Sequence, residues 1–214
     1  MALAACTSRG KDFTRPDPAS LVLGQTTLAE ATVRFGPPTS RTVRRSLNPA
    51  SIQQNPGSAF PIATTAKVAG TIDSLSYSYI EITTPGLVVG PRHSHSKSLF
   101  LAFWDERLVM YSFSSSFSRD SVSIDENRIR AFVRGQTTRA DVLQALGPPT
   151  GEAIYPFVEK EGTRLLIYQQ VTSDSSGATP LTTETVTRRK SFRLLFDAAD
   201  RLIDSTQQTS FMGN

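Results

Sequence analysis

The sequence contains few of the residues on which disulfide-bonded, metal-binding and catalytic proteins depend. Its 214 residues include one cysteine, two histidines and one tryptophan. Because Cys6 is the only cysteine, no intramolecular disulfide can form. No run of eighteen apolar residues occurs, so no segment predicts a membrane-spanning helix. A glycine-rich phosphate loop and a Gly-x-Ser-x-Gly motif are also missing, which makes an enzyme the weakest functional hypothesis.

Charge and histidine content argue against two further classes of site. The 23 basic and 19 acidic residues give a net charge of +4, which is too small to indicate a nucleic-acid-binding surface. His93 and His95 form a His-x-His motif beside Arg92, but no further ligand lies nearby in the sequence to complete a metal site. We therefore predict an exposed loop there, with no bound metal and no other cofactor.

The strongest pattern is an internal repeat. Gly-Gln-Thr-Thr at residues 24–27 is followed, after eight residues, by Gly-Pro-Pro-Thr at 36–39. The same two boxes recur at 135–138 and 147–150, a constant offset of 111 positions (135 − 24). Recurrence at a fixed spacing indicates that one structural unit has been duplicated.

Each repeat predicts a short helix with defined ends. Thr27 with Glu30, and Thr138 with Asp141, fit capping boxes at the start of the helix. A glycine then suits the positive φ that ends a helix, and the prolines after it prevent continuation. The motif residues with these structural roles are Gly24, Thr27, Gly36, Pro38, Gly135, Thr138, Gly147 and Pro149. The repeat therefore predicts architecture and no chemistry.

Strands are predicted after each helix. Apolar and small polar residues alternate along 75–79, which indicates a strand with one buried face. Residues 99–104 and 108–113 flank a three-residue polar turn at 105–107 and predict an antiparallel hairpin. Because both strands are apolar on both faces, we expect this hairpin in the middle of a sheet. Residues 192–196 and 201–203 predict the matching hairpin of the second repeat.

These elements predict an α+β fold of two tandem repeats, each a short helical segment packed on a three- to four-stranded antiparallel sheet. We expect the first repeat at 20–117, a linker at 118–128 and the second repeat at 129–214. Residues 7–19 are polar and contain two prolines. The segment 1–19 is therefore predicted to hold a lipobox remnant and a flexible tether.

The N-terminal residues bear on the cellular location of the protein. Leu3-Ala4-Ala5-Cys6 resembles a bacterial lipobox, in which the cysteine is acylated and becomes the mature N-terminus. A lipoprotein signal also needs a charged region and an apolar stretch before the box, so this interpretation requires a start upstream of Met1. The alternative is an incidental thiol on a frayed terminus. We favour lipidation of Cys6, because the cysteine is unique and a polar segment follows it.

The repeat cores at 24–39 and 135–150 resemble a known family. A Gly-x-Thr opening, a short helix, a Leu/Phe-Gly-x-Pro close and a following strand meander are similar to the SmpA/OmlA lipoproteins, the outer-membrane assembly factors called BamE. The tandem arrangement also resembles beta-lactamase inhibitor protein, which has two repeated helix-plus-sheet halves. The resemblance implies an outer-membrane lipoprotein that faces the periplasm, anchored through lipid on Cys6, with an outer-membrane or periplasmic protein as its partner.

Two functional hypotheses of different classes follow. The first is a non-enzymatic cell-envelope lipoprotein that acts as a protein-binding scaffold or assembly factor. The alternative is an inhibitor that docks a sheet face onto an enzyme. Aromatic anchors dominate such interfaces, and Tyr77, Tyr79 and Trp104 are the candidates, with core packing as the competing role of each.

Two groups of basic residues bear on membrane contact. If they share a face, they would attract anionic headgroups by about 1 kcal/mol per charge. Otherwise they are edge-strand charges that oppose aggregation, which is the interpretation we favour. The groups are Arg41, Arg44 and Arg45, and Arg188, Arg189 and Lys190.

Overall fold

In a computed structural model the chain forms one continuous antiparallel sheet of nine strands. The structure describes residues 5–47, 68–84, 93–120, 122–176 and 184–213. The predicted α+β fold, with a helix on each of two small sheets, is wrong. The described chain is mostly β, with one large sheet and three short α-helices.

The strands follow one another across the sheet almost in chain order. Their order is β1, β3, β4, β5, β6, β7, β8, β9, and β2 also pairs with β3. The strands are β1 (Ala5–Arg9), β2 (Ser40–Leu47), β3 (Val68–Thr84), β4 (His93–Trp104), β5 (Arg107–Ser115), β6 (Gly151–Ile154), β7 (Arg164–Ser176), β8 (Glu184–Phe196) and β9 (Leu202–Gly213).

The two repeats are joined where β5 pairs with β6. Met110 lies opposite Ala153, and Ser112 lies opposite Gly151. A Cβ at Gly151 would lie only 2.6 Å from the carbonyl oxygen of Tyr111, so this close approach of two backbones requires glycine. The prediction of two sheets fails because periodicity reports which face of a strand is buried, and not which strand lies beside it.

In the part of the chain that the structure describes, three α-helices accompany the sheet: α1 (Leu28–Phe35), α2 (Glu126–Arg130) and α3 (Arg139–Leu146). Both predicted capping boxes form. Oγ1 of Thr27 accepts from the Glu30 amide at 3.2 Å, and the Glu30 carboxylate accepts from the Thr27 amide at 2.7 Å. Thr138 and Asp141 repeat the arrangement on α3. Among the described residues, no helix is both long enough and apolar enough to cross a membrane.

Both predicted hairpins also form. β4 and β5 lie inside the sheet, between β3 and β6, as their apolar character predicts. Their turn is Asp105 and Glu106, with φ values of 45° and 65°, and two positive φ values are typical of a type I′ hairpin turn. Arg107 belongs to β5, so the turn is one residue shorter than predicted. β8 and β9 form the second hairpin.

α1 and α3 pack on the same face of the sheet, which we call the helix face. Directly opposite residues of neighbouring strands point to one face, and Leu101, Tyr111, Glu152, Leu166 and Leu194 form such a row. Buried Ala31 of α1 packs over the β3–β5 part of this face, and buried Val142 of α3 packs over the β7–β9 part.

We call the opposite side the open face. Near one end of its strands it is apolar, because Phe157 and Val158 pack there against Met110 and Ile167. Away from that end its residues are mostly small and polar. The helices therefore occupy one face of the sheet, and the other face presents these small polar residues.

The N-terminal segment is held on the helix face, which differs from the predicted flexible tether. Phe13 packs edge-on against the rings of Tyr77 and Phe113, with centroid distances of 6.5 and 6.3 Å. Asp12 forms an ion pair with Lys97. The polar composition of 7–19 predicts flexibility. Phe13 and Asp12, which hold the segment in place, hardly change that composition. The predicted repeat boundaries stay a prediction.

Candidate binding surface

The Gly-Gln-Thr-Thr boxes fasten each helix to the hairpin of its own repeat. The amide of Gly24 donates to the carbonyl of Leu108 at 2.7 Å, and the amide of Gly135 donates to the carbonyl of Leu202 at 2.8 Å. Both glycines have a positive φ, 76° and 74°, which side-chain-bearing residues rarely adopt. The two boxes therefore make the same structural contact in each repeat.

The threonines of the Gly-Pro-Pro-Thr boxes complete the sheet. Oγ1 of Thr39 accepts from the amide of Ser78 at 3.0 Å, and Oγ1 of Thr150 accepts from the amide of Gln169 at 2.9 Å. Each threonine thus satisfies an amide of the neighbouring strand.

The glycines that end the helices are bound by buried tyrosines. The Tyr77 hydroxyl donates to the carbonyl of Gly36 at 3.2 Å, and the Tyr168 hydroxyl donates to that of Gly147 at 2.9 Å. Burial raises the pKa of both hydroxyls, so both stay protonated donors. Of the motif prolines after these glycines, Pro38 is partly buried and Pro149 is buried.

The three aromatic candidates are not exposed anchors. Tyr77 and Tyr79 are buried on the helix face, 6% and 8% exposed. The Trp104 indole donates to the carbonyl of Ala69 at 3.1 Å and packs edge-on against Tyr155, with centroids 5.4 Å apart. Core packing is the role that the structure assigns to all three.

Cys6 is exposed in β1, where it lies opposite Thr83 of β3. Its thiol has no close polar partner within the described chain beyond the Thr83 hydroxyl at 4.0 Å. The lipobox residues before Ala5 lie outside the described residues. Lipidation of Cys6 therefore stays a prediction.

The His-x-His motif makes no metal site in the part of the chain that the structure describes. His95 belongs to β4 and is partly buried, so the predicted exposed loop is wrong at this residue. Its Nδ1 lies 3.2 Å from the carbonyl oxygen of Ser116, and its ring packs on Phe117 at 5.2 Å. Arg92 and the side chain of His93 lie outside the described residues. No three metal-ligating side chains cluster among the described residues.

The two basic groups do not form one patch. Five strands, β3 to β7, separate β2 from β8. In β2, Nε of Arg41 binds the Asp73 carboxylate at 2.7 Å. In β8, successive side chains alternate between faces, so Arg188 and Lys190 point to the helix face and Arg189 to the open face. The structure therefore gives no single cationic surface for a membrane.

The open face carries a band of small polar residues across its middle. These residues occupy alternate positions on their strands. Ser78, Ser98 and Ser114 lie opposite one another in the register of the sheet, as do Gln169, Ser191 and Gln208, whereas Phe100 lies between Ser76 and Ser112. The band consists of Ser74, Ser76, Ser78, Ser96, Ser98, Ser112, Ser114, Gln169, Arg189, Ser191, Arg193, Thr206 and Gln208. Its outer members Ser96, Ser98, Thr206 and Gln208 are exposed.

Polar atoms at the centre of this band have no hydrogen-bond partner among the described residues. Gln169 and Ser191 lie opposite each other and are 5% and 6% exposed. Nε2 of Gln169 donates to Oγ of Ser112 at 3.1 Å. Within the described residues, Oε1 of Gln169, Oγ of Ser191 and Nε of Arg189 have no hydrogen-bond partner. Burial lowers the pKa of the Arg189 guanidinium, and also that of Arg193.

Sequence reasoning missed this band, although a signal for it was present. Serine alternates with apolar residues at 74, 76 and 78, and with His95 and Lys97 at 94, 96 and 98. Two such strands side by side give a polar face. The contribution of β8 was hidden, because Arg188, Arg189 and Lys190 form one run in the sequence and divide between two faces in the fold.

Comparisons with known proteins give limited support. No family model matches the chain, and no curated protein matches it. A solved structure of a proposed beta-lactamase inhibitor protein from Streptococcus mutans matches with 16% identity and a TM-score of 0.41, over 86% of this chain and 82% of that one. A likeness at this level carries no argument about fold or function. The resemblance to the SmpA/OmlA lipoproteins stays a prediction.

Proposed function

We propose that this protein is a non-enzymatic binding protein that docks the open face of its sheet onto a partner protein. The observation that supports this most is the set of buried polar atoms at the centre of the band, on Gln169, Ser191 and Arg189, which have no partner within the described residues. An unpaired buried donor or acceptor costs about 1–3 kcal/mol. Because these atoms are buried, a partner reaches them only if their side chains turn outward, and the hydrogen bonds that it then supplies recover this free energy on binding.

The two donors among these groups, Arg189 and Ser191, favour a carboxylate on the partner, whereas Oε1 of Gln169 is an acceptor and needs an N–H or O–H donor. Arg189 offers a guanidinium, and its lowered pKa has burial as its cause, with no acidic group contributing. Guanidinium groups bind carboxylates through two parallel hydrogen bonds. The Ser191 hydroxyl adds a third donor beside them. An aspartate or glutamate side chain presented by the partner fits this arrangement.

The proposal is tested by site-specific photo-crosslinking. The full chain carries a photo-crosslinking amino acid at Ser98, which is exposed on the open face, or at Val33, which is 87% exposed on α1. We expect a protein partner to be crosslinked from Ser98 and not from Val33 in extracts of the source cells. That partner is then identified, purified and titrated against the unmodified chain.

A matched pair of variants decides whether the open face carries the affinity. Arg189→Gln removes a guanidinium on the open face, and Arg188→Gln removes its neighbour, which lies over the Phe211 ring on the helix face at 5.0 Å. We expect the first substitution to weaken binding by about tenfold or more, as for a hydrogen bond to a charged group, and the second to leave it unchanged. Equal effects, or crosslinking from Val33 alone, would contradict the proposal.

We also propose that lipid on Cys6 anchors the protein in the bacterial outer membrane, facing the periplasm. The lipobox-like Leu3–Cys6 and the exposed thiol support this. Stable anchoring takes more than one acyl chain, and bacterial lipoproteins meet that requirement. Incorporation of a clickable palmitate into the wild type, and none into Cys6→Ser, is the expected result. An in-frame stop codon close upstream of Met1 would exclude this anchor.

An enzyme is one class of partner for the open face. The tandem arrangement resembles beta-lactamase inhibitor protein, so a beta-lactamase is the first enzyme to titrate. If it is the partner, nitrocefin hydrolysis falls in a saturable way as the wild type or Arg188→Gln is added, and falls less with Arg189→Gln. If the enzyme is crosslinked from Ser98 but its hydrolysis of nitrocefin is unchanged, the protein binds the enzyme without inhibiting it.

A further inference from the structure

Among the described strands, none pairs with the outer edge of β9 over most of its length. Within the described residues β9 pairs with β8 and with no other strand. At its start, the Leu202 amide donates to the carbonyl of Thr137, and the Leu202 carbonyl accepts from the amide of Gly135. Beyond that contact, residues 205–209 are all exposed. An antiparallel edge of this kind presents a row of free N–H and C=O groups.

Among the described residues, the stretch 205–213 lacks three features by which proteins prevent strand addition, namely charge, proline and a bulge. Residues 205–213 contain no charged residue and no proline. The register with β8 is regular from Asp204 to Gly213, and its one shift lies before that stretch, between Leu195 and Phe196. Edge lysines, prolines and bulges are the usual protection against edge-to-edge pairing.

The opposite edge of the sheet carries two kinds of protection, an irregular register and basic residues. It is formed by two short strands, β1 and β2, which pair with different halves of β3. The pairing of β2 is shifted by an irregularity between Arg44 and Ser46. Arg41, Arg44 and Arg45 also place positive charges along that edge. Within the described residues, the β9 edge at 205–213 therefore lacks the basic residues and the irregularity that the β1 and β2 edge has.

We infer that β9 pairs antiparallel with β9 of a second copy of this chain, about a two-fold axis at Gln207 or Gln208. A second copy fits because two-fold pairing places the strand against itself, and like charges directly opposite each other oppose such pairing. The uncharged Ser, Thr and Gln residues at 205–210 have no such repulsion, and the Thr–Ser pairs that either axis brings together across the strands are favourable.

The symmetry has a consequence for the open face. A two-fold axis that relates antiparallel edge strands of one continuous sheet stands perpendicular to the sheet. It therefore leaves both open faces on the same side. The dimer would present two copies of the polar band to one partner or to two adjacent ones, and linked sites of this kind raise the apparent affinity without any new contact.

The inference is tested by sedimentation velocity of the full chain over a range of concentrations. We expect a reversible monomer–dimer equilibrium. The double variant Gln207→Lys/Gln208→Lys places lysines opposite each other with the axis at either glutamine, and should raise the dimer Kd by about tenfold. The control Thr32→Lys/Val33→Lys adds the same charge to exposed positions of α1 and should leave the dimer Kd unchanged.

Disulfide trapping fixes the register in a Cys6→Ser background. Directly opposite Cα atoms in an antiparallel pair are about 4.5–5.5 Å apart, within the range of a disulfide. Under mild oxidation, one of Gln207→Cys and Gln208→Cys should form a covalent dimer quickly, and Val33→Cys should not. A chain that stays monomeric, a dimer weakened equally by both lysine pairs, or crosslinking at Val33→Cys would overturn the inference.

Discussion

Asp12 and Lys97 form an ion pair that fastens the N-terminal segment to β4. The Lys97 residue is 3% exposed, and its ammonium lies 5.4, 5.4 and 5.2 Å from the ring centroids of Phe13, Tyr79 and Phe117. Aromatic faces attract a cation but do not neutralise it. The carboxylate of Asp12 supplies the counter-charge, so the position of residues 10–16 depends on it.

Removing that counter-charge should destabilise the protein. Asp12→Asn keeps the shape of the side chain but leaves the buried ammonium of Lys97 without its carboxylate. Breaking a fully buried pair costs about 3–5 kcal/mol. Because the Asp12 side chain is 51% exposed and therefore screened by water, we expect the free energy of unfolding in urea to fall by about 1–2 kcal/mol.

The control for this variant is Glu159→Gln, which removes a carboxylate from an exposed residue. It should change the free energy of unfolding by less than about 0.5 kcal/mol, as surface substitutions usually do. Limited proteolysis provides a second measurement, since loss of the ion pair should speed cleavage within 10–16. If both variants unfold at the same urea concentration and are cleaved alike, the N-terminal segment does not depend on Asp12.

The same ion pair predicts a pH dependence. The hydrogen bond from Lys97 is the main cause of the lowered pKa of Asp12. A carboxyl whose pKa is lower in the folded state adds stability above its unfolded pKa, near 3.9, and loses it as the pH falls toward the folded pKa. The difference in unfolding free energy between wild type and Asp12→Asn should therefore be constant above about pH 5 and shrink below about pH 4.

The comparison with Asp12→Asn isolates this carboxyl from others that titrate in the same range. The pKa values of Glu30, Glu126 and Asp141 are also lowered, each by its hydrogen-bond partner, and all three remain in both proteins. Urea unfolding at steps from pH 3 to pH 7 gives the difference directly. A difference that stays constant across that range would show that Asp12 titrates alike in the folded and unfolded chain.

The two capping boxes should contribute equally and independently. Thr27→Ala and Thr138→Ala each remove an oxygen that accepts from a helix amide, at 3.2 Å in both helices. Each loss should cost about 1 kcal/mol, and the double variant about the sum, because the sites share no partner. Thr32→Ala within α1 is the control. Its hydroxyl donates to the Leu28 carbonyl at 2.8 Å, and alanine is the better helix former.

Thermal and urea unfolding of the four variants measure these differences. The expected order is Thr32→Ala near wild type, the two single cap variants below it, and the double variant lowest. A cap variant as stable as Thr32→Ala would mean that its helix is held by packing on the sheet alone.

The sequence was informative where a structural feature depends on adjacent residues. Thr27 three residues before Glu30 suffices for a capping box, and Asp105 with Glu106 between two apolar runs suffices for a hairpin turn. Such features need no knowledge of the rest of the chain, and the structure contains them where the sequence predicts them.

Features that join distant segments could not be read in this way. Nothing near Gly151 indicates that it will lie against Tyr111, and nothing near Asp12 indicates Lys97. Arg15 shows the same difficulty, since its guanidinium donates to the carbonyls of Pro148 and Pro149, both at 3.1 Å. A polar segment that binds both repeats has the same composition as a linker that binds neither. The prediction of a flexible tether failed for that reason.

Gly10 follows β1 and lies against the backbone of β3. Its φ is +91°, and a Cβ there would lie 2.1 Å from the carbonyl oxygen of Ser78. Gly135 also has a positive φ, +74°, but a Cβ there would meet nothing within 4 Å. Alanine at either position costs about 1–2 kcal/mol because of the left-handed backbone conformation. At Gly10 the alanine side chain also collides with the backbone of β3.

The two alanine variants should therefore destabilise different parts of the protein. Gly135→Ala should lower the global free energy of unfolding by about 1–2 kcal/mol and leave hydrogen exchange in β1 unchanged. Gly10→Ala should detach β1, because a terminal strand can separate without unfolding the rest. Amides at 5–9 and 80–84 would then exchange faster, while α3 keeps its protection. Equal protection of β1 in Gly10→Ala and wild type would mean that the backbone beside Ser78 can move aside, and that β1 is held by its ladder with β3 alone.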